Sequence, residues 1–482
     1  MLVRHSLAYI VTNLVAGLFG FATTLILTRL ITPAEYGVFG LGVTLVYFAS
    51  NLFFDWQATT YLRLGQGDGD RARMTGIFVG LFLVCVLLSL LLALPITLIL
   101  PETLTGGRLV WFALPCLWCF AWFQFSVRVH MAALEPGRIM VMNVVRGAVG
   151  LLGAVTVAWI TENGAWTLLA SFAGALAGSL VRPGALMHVS APWRERVIVR
   201  DALAFGLPMA LAFVISSVSP VINRVLLASM GSLDAAGFYA VGAVLVQNTI
   251  GLMAGGVGAA AYTLAVRAHE SGEAGRAEAQ LASNFVLLLA LLLPGAVGLA
   301  MVAPGLMPHL VGAAFVEPAV RLTPVVATAT FIGCMRAHHV DTAFHLARRT
   351  GLLTSLFGVV AVVELALGIG LIPHFGYMGP AYASLAAMSF GWVLAFTVAR
   401  RVHGLRLPFV EMTKVLAATA VMAVALDALP VTTDLVELGL AIIGGGLAYG
   451  VVVVGLDVMG LRTLVLARLG RLFRRPAVMG KP

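Results

Sequence analysis

Charge is what this sequence has least of. Of its 482 residues only 11% are Asp, Glu, Lys or Arg, while 60% are hydrophobic; a soluble domain carries roughly a quarter charged residues. So few polar side chains cannot cover a water-facing surface, which excludes a soluble globular class. Cysteine is equally scarce. The four present give no disulfide framework, and Cys116 and Cys119 in "CLWC" sit in an apolar helix, where a spacing of three puts both on one face in a packing role. Missing too are a GxxxxGK[ST] loop, a dinucleotide fingerprint and a catalytic dyad, so the chain is expected to be no enzyme and to hold no cofactor. No segment of enzyme size stands outside the apolar runs, and the loops assigned outside are short, against a membrane glycosyltransferase.

What is present is apolar sequence of membrane-spanning length from one end to the other. The runs are continuous and too long for alternating strands, so the fold class is an all-α polytopic membrane protein rather than a β-barrel. Fourteen spans are predicted: 7–28, 38–60, 76–99, 109–128, 139–160, 165–183, 202–226, 238–262, 283–305, 320–340, 351–372, 379–399, 414–430 and 436–458. The first has no small-residue cleavage site and reads as a retained helix. The net charge of +9 does not point to nucleic acid, because the arginines lie in short loops and in the C-terminal tail. With an even count and both termini assigned to the cytoplasm, inside segments collect 25 of the 30 Lys and Arg residues. Outside edges hold Arg29, Arg108, Arg224 and Arg321, and Arg146 falls within a span. The positive-inside rule therefore puts the chain in the cell membrane with both ends cytoplasmic.

A repeat runs through the spans. "TRLITPAEYGVFGLG" at 28–42 is echoed by "NRVLLASMGSLDAAGFYAVG" at 223–242: Gly37 pairs with Gly237, Phe39 with Tyr239 and Gly42 with Gly242, while Arg29 and Arg224 match at a shorter offset. "TENGAWTLLASFAGALAG" at 161 is echoed by "HFGYMGPAYASLAAMSFG" at 374. Two six-helix bundles are expected, 1–183 and 202–399, joined by a basic cytoplasmic linker at 184–201. A second linker at 400–413, helices thirteen and fourteen within 414–458 and a basic tail at 459–482 complete the order. Six is even, so both halves share one orientation, the parallel kind of repeat that encloses a central cavity. Gly spaced by three or four lets helices approach closely, and Pro115, Pro208, Pro220 and Pro294 fall within spans, where they permit kinks.

Ionisable and polar groups at membrane depth are the candidates for function. Arg29 and Arg224 end the first helix of each half, where they either snorkel or face a cleft and pair with an anion. Arg146, with Asn143 three residues earlier on the same face, needs protein or water around it; a phosphate and a buried acid both suit it as partner. Asp55, near Gln57, and Glu364 either carry a proton or form a structural pair with an arginine. Asn223, Gln247 and Asn248 suit hydrogen bonding to a sugar or between helices. His338, Asp341 and His345 share a helical face but lie beside Arg336, Arg348 and Arg349, and read as an interfacial polar cluster rather than a metal site.

"TRLITPAEYGVFGLG" after an N-terminal helix, with fourteen spans and "LIPHFGYMGPAYASLAA" at 371–387, resembles the polysaccharide transporter family, which includes the Wzx-type flippases. That family lies in a larger group with multidrug exporters and lipid II flippases. The resemblance implies two six-helix bundles around a cavity. It implies translocation of an undecaprenyl-diphosphate-linked oligosaccharide to the periplasmic leaflet, with Arg29, Arg224 and Arg146 as cationic contacts. Implied partners are the lipid-linked glycan, protons or sodium ions, and membrane glycosyltransferases with a polymerase. The alternatives are a cation-coupled multidrug exporter, a lipid II flippase and a non-transporting membrane scaffold.

Overall fold

A backbone crossing hydrocarbon must satisfy its own hydrogen bonds, and helices do so within one segment. The computed structural model describes residues 2–64, 71–99, 108–181, 190–192, 195–271, 275–347, 349–403, 405, 407–429 and 431–463, and every regular element among them is helical. In order these are α1 (Leu2–Leu30), α2 (Pro33–Phe53), α3 (Asp55–Leu64), α4 (Arg71–Ile99), α5 (Arg108–Ala132), α6 (Pro136–Thr161), α7 (Gly164–Ser179), α8 (Arg196–Met230) and α9 (Leu233–Val246). After them come α10 (Leu252–Glu270), α11 (Arg276–Leu310), α12 (Ala313–Met335), α13 (Asp341–Leu346), α14 (Thr350–Phe375), α15 (Gly379–His403), α16 (Phe409–Asp427) and α17 (Leu435–Gly455). Eleven stretches of the described residues are long and apolar enough to cross a membrane, the α14–α15 run counting as one; Gly17–Leu30 and Val221–Met230 are shorter apolar helices. Most of the basic tail, together with Arg194 and Arg348, lies outside the described residues.

Several expected spans are broken where the sequence alone reads as continuous. The second divides at Phe54, whose backbone leaves the helical region (φ −126°). The Ser50 hydroxyl donates to Asp55 Oδ1 at 2.8 Å across this break, so Asp55 starts a new helix instead of lying inside the second. π-helical turns interrupt the eighth span at Gln247–Gly251 and the tenth at Arg336–Val340. The tight reversal predicted at "TENGA" is observed. Glu162 is left-handed (φ 51°), and the Asn163 side chain accepts from the Ala165 and Trp166 amides at the start of α7.

By contacts the chain divides into two units. The first comprises 1–248, 310–326 and 351–391; the second comprises 249–309, 327–350 and 392–482. This differs from a division by repeat, because within the first unit α2 of one repeat packs directly on α9 of the other. Both helices begin with the same local device. The Thr32 hydroxyl accepts from the Glu35 amide, with Pro33 at the first helical position, and the Ser232 hydroxyl accepts from the Ala235 amide; each satisfies one orphan amide of its helix.

Beyond these caps the helices cross at the paired glycines of the repeat. A Cβ on Gly37 would fall on the carbonyl oxygen of Leu233, and one on Gly237 would fall on that of Pro33. One turn further, a Cβ on Gly40 would stand 3.1 Å from the Ala240 methyl. The Glu35 carboxylate then accepts the amide of Gly164 at 2.6 Å. An aromatic group surrounds the crossing, with Phe315 edge-on to Tyr36 (5.7 Å) and to Phe238 (5.9 Å).

In the second unit α16 and α17 dock on α11. Val302, Met422, Leu426, Leu438 and Ala441 form one buried cluster, and the Tyr449 hydroxyl donates to the Ala290 carbonyl at 2.6 Å. Their opposite faces stay apolar and exposed, with Val424 at 70% and Val436 at 69%, as a lipid-facing surface requires.

Gly37→Ala or Gly237→Ala should cost about 1–3 kcal/mol of overpacking at the α2–α9 crossing. Gly358→Ala, whose added methyl meets nothing within 4 Å, should be neutral. Thermal unfolding of the purified proteins in detergent checks this; equal melting temperatures for all three would refute the close approach.

Candidate functional site

The first unit contains a cavity of about 600 Å³, walled by α1, α2, α6, α7, α8 and α9. Its position follows from the glycine packing. Helices α6 and α7 meet at Gly150 and Gly174, where a Cβ on Gly150 would stand 2.8 Å from the Ser171 carbonyl oxygen. On α7, a Cβ on Gly178 would stand 3.1 Å from Arg146 Cβ. With backbones this near, the Arg146 side chain leaves the helix interface and enters the cavity lining. Its guanidinium lies over the rings of Phe120 (5.3 Å) and Phe123 (5.0 Å), a contact that holds a cation without neutralising it.

Arg224 is held differently. Its Nη1 donates to the Gly40 carbonyl oxygen at 3.0 Å and to the Thr44 hydroxyl, so it ties α8 to α2 immediately beyond the glycine crossing. Both arginines line the cavity, and no Asp or Glu does among the described lining residues. The rest of the wall is uncharged: Asn143, Gln247 and Asn248, with Asn51 donating to the Ser217 hydroxyl at 2.6 Å, and aromatic rings including Tyr36, Tyr47 and Phe172. A pocket of this make-up attracts an anion, offers hydrogen bonds to a polar body and presents flat apolar faces.

The sequence candidates thus fall into three groups. Arg146, Arg224, Asn143, Gln247 and Asn248 come together on the cavity wall. Arg29 does not join them; it is exposed at the last turn of α1 and lies outside the lining, so its match with Arg224 in the repeat is not a match of environment. Asn223 is 2% exposed and turns the other way, donating from Nδ2 to Glu364 Oε1 at 2.8 Å and to the Ser384 hydroxyl at 3.0 Å. Ser384 also donates to Glu364 Oε1. Glu364 is fully buried, and its Oε2 and the Asn223 Oδ1 find no hydrogen-bond partner among the described residues. Asp55 lies away from the cavity at the α2–α3 break, with nearby Gln57 buried and bonded to the Phe53 carbonyl.

Along the His338–Asp341–His345 face exposure is uneven: His345 is exposed and His338 half-buried, while Asp341 is 3% exposed and Arg336, whose Nε stands 3.6 Å from Asp341 Oδ2, is 7% exposed. A π-turn carries Arg336–Val340, and the His338 ring occupies the space that a Cβ on Gly258 would need. Among the described residues no group of three or more His, Cys, Asp or Glu is placed to hold a metal. Sequence reasoning also missed Asn51, Ser217 and Thr44. Small polar residues within apolar runs are the signal that marks them, but such residues are too common in membrane helices to single out without the wall they share.

The fold has solved counterparts. The lipid II flippase MurJ in an inward closed conformation superposes with a TM-score of 0.81 at 11% identity, over 96% of this chain and 100% of its own. An inward-facing multidrug resistance MATE family transporter of the MOP superfamily gives 0.58 at 15% identity, over 80% and 96%. The MATE multidrug transporter DinF-BH gives 0.54 at 15% identity, over 83% and 94%. At such identities the likeness establishes the fold alone: an all-helical polytopic membrane fold like theirs. No curated protein sequence matches the chain. The family model described as a polysaccharide biosynthesis protein does match it, over residues 26–320, and the chain belongs to that family.

Proposed function

We propose that this protein translocates a lipid-linked saccharide with an anionic diphosphate head, of the undecaprenyl-diphosphate-linked oligosaccharide class, from the cytoplasmic to the outer leaflet. The observation that carries this reading is the cavity wall, with two arginines and no carboxylate among its described residues. A diphosphate with its sugars cannot enter about 30 Å of hydrocarbon unaided. In a chamber of about 600 Å³, Arg146 would meet the phosphates while the amides and rings meet the first sugars and the polyprenyl tail stays in lipid. Membership of the polysaccharide biosynthesis family supports the saccharide. An exporter of cationic drugs would place an acid where this wall has arginine.

In this reading fourteen crossings form two like-oriented halves, 1–183 and 202–399, with both termini cytoplasmic. The α2–α9 crossing is then the external gate, and Arg224 holds it from the cavity side. Glu364 and Asn223 form an ion- or proton-coupling centre, since ionisable groups at membrane depth mark ion and proton pathways and Glu364 Oε2 is buried with no hydrogen-bond partner among the described residues. Lipid II is the second reading, favoured by the close superposition with a lipid II flippase; it keeps the diphosphate and changes the sugars.

Depletion in the native cell should leave a lipid-linked glycan on the cytoplasmic leaflet. A build-up of polysaccharide precursor supports the first reading, and of peptidoglycan precursor the second. Altered drug sensitivity with both precursors exported normally would end the proposal.

Arg146→Ala should reduce flipping about tenfold or more, the loss expected when one charge-assisted contact goes, at unchanged abundance. Arg146→Lys should restore part of it, because the charge returns without the planar fork. Normal transport by the alanine variant would remove Arg146 from the site.

Glu364→Gln should abolish the dependence of transport on an imposed proton or sodium gradient while binding of substrate persists. Transport that still follows the gradient would exclude this centre.

A further inference from the structure

A second concave feature of the first unit lies away from the cavity, where the chain enters α8. Positions 196, 200, 203 and 207 fall on one face of that helix. The first two are Arg and the next two Leu, so the stripe runs from charge to hydrocarbon over about two to three turns. The opposite wall comes from the preceding segment. The Ser190 amide donates to the Gly76 carbonyl of α4 at 3.0 Å, and a Cβ on Gly80 would stand 2.7 Å from the Pro192 ring. Any side chain at position 80 would push this segment off α4. Pinned there, Pro192 closes a groove of about 460 Å³ with Arg196, Val199, Arg200, Leu203, Ala204 and Leu207.

The charges are arranged so that the mouth stays positive. Glu195, next in sequence to Arg196, is drawn away to Arg73 of α4, with which it pairs. Among the described residues Arg200 pairs with Asp201, at 3.3 Å, with both side chains more than half exposed, where water largely screens such a pair. Below the mouth the wall is aliphatic, and Leu207 is 56% exposed.

A free phosphate would use the mouth and leave the apolar wall bare; an uncharged acyl chain would use the wall and leave the arginines unmatched. One molecule of the surrounding bilayer has both parts. We propose that this groove binds an anionic phospholipid of the leaflet in which α8 begins, its phosphate between Arg196 and Arg200 and one acyl chain along Leu203 and Leu207. Basic pockets at the membrane interface select headgroups by this electrostatic term. The site shares no lining residue with the cavity, and its occupant is not the transported saccharide.

The test is native mass spectrometry of the full chain in detergent, titrated with phosphatidylglycerol and with phosphatidylethanolamine. Phosphatidylglycerol should be retained about tenfold better, the scale expected of two interfacial arginines. Arg196→Gln with Arg200→Gln should remove that preference. Ala204→Trp, which fills the groove and keeps both charges, should lower retention of phosphatidylglycerol to the same degree. Arg400→Gln with Arg401→Gln, an exposed arginine pair elsewhere on the chain, should leave it unchanged. Equal retention of the two lipids, displacement of phosphatidylglycerol by inorganic phosphate, or an equal loss in the Arg400/Arg401 variant would overturn the proposal. So would a groove-filled variant that binds like the unaltered protein.

Discussion

The first unit depends on two helices meeting without side chains between them. Gly37 and Gly237 let α2 and α9 approach until each presses on a carbonyl of the other. Tight backbone packing of this kind replaces the hydrophobic drive that lipid, being as apolar as leucine, does not supply. The adjacent features follow from the same approach. The hydroxyl caps at Thr32 and Ser232 fix where each helix starts, Glu35 ties α7 to the turn, and Phe315 packs edge-on beside the crossing. Arg224 then spans from α8 to α2 on the cavity side, where any larger residue at Gly40 would meet Ala240.

The cavity beneath that crossing shows how one residue type is put to two uses. Arg224 gives its Nη1 to a backbone carbonyl and a hydroxyl of α2 and belongs to the closed helix contact. Arg146 rests on aromatic faces and lines the cavity. A guanidinium at membrane depth is costly unless it faces protein or water, and both solve that problem within the first unit. The buried Glu364 accepts hydrogen bonds from Asn223 and Ser384 at one oxygen, and its other oxygen meets no partner among the described residues.

Much of this was legible before any coordinates. The repeat offset already paired Gly37 with Gly237, though as equivalents rather than as neighbours. Arg146 and Asn143 were marked by charge and polarity in an apolar run, and both line the cavity. Asn223 and Glu364 were marked for the same reason and bond to one another, yet their distance in sequence hid the pairing. Arg29, marked by the same match, lies outside the cavity lining, because a repeat preserves a residue type more readily than its surroundings. The π-turn at Arg336–Val340 could not be read either, since an extra residue in a helical turn leaves no mark on an apolar run.

Composition and the period of the apolar runs determined that the chain is helical and spans a membrane repeatedly, because unpaired backbone groups have no alternative in hydrocarbon. Which polar residues face a common space was decided only by the tertiary structure. Helix rotation depends on where small residues let backbones touch, and that requires both partners of each contact to be in place.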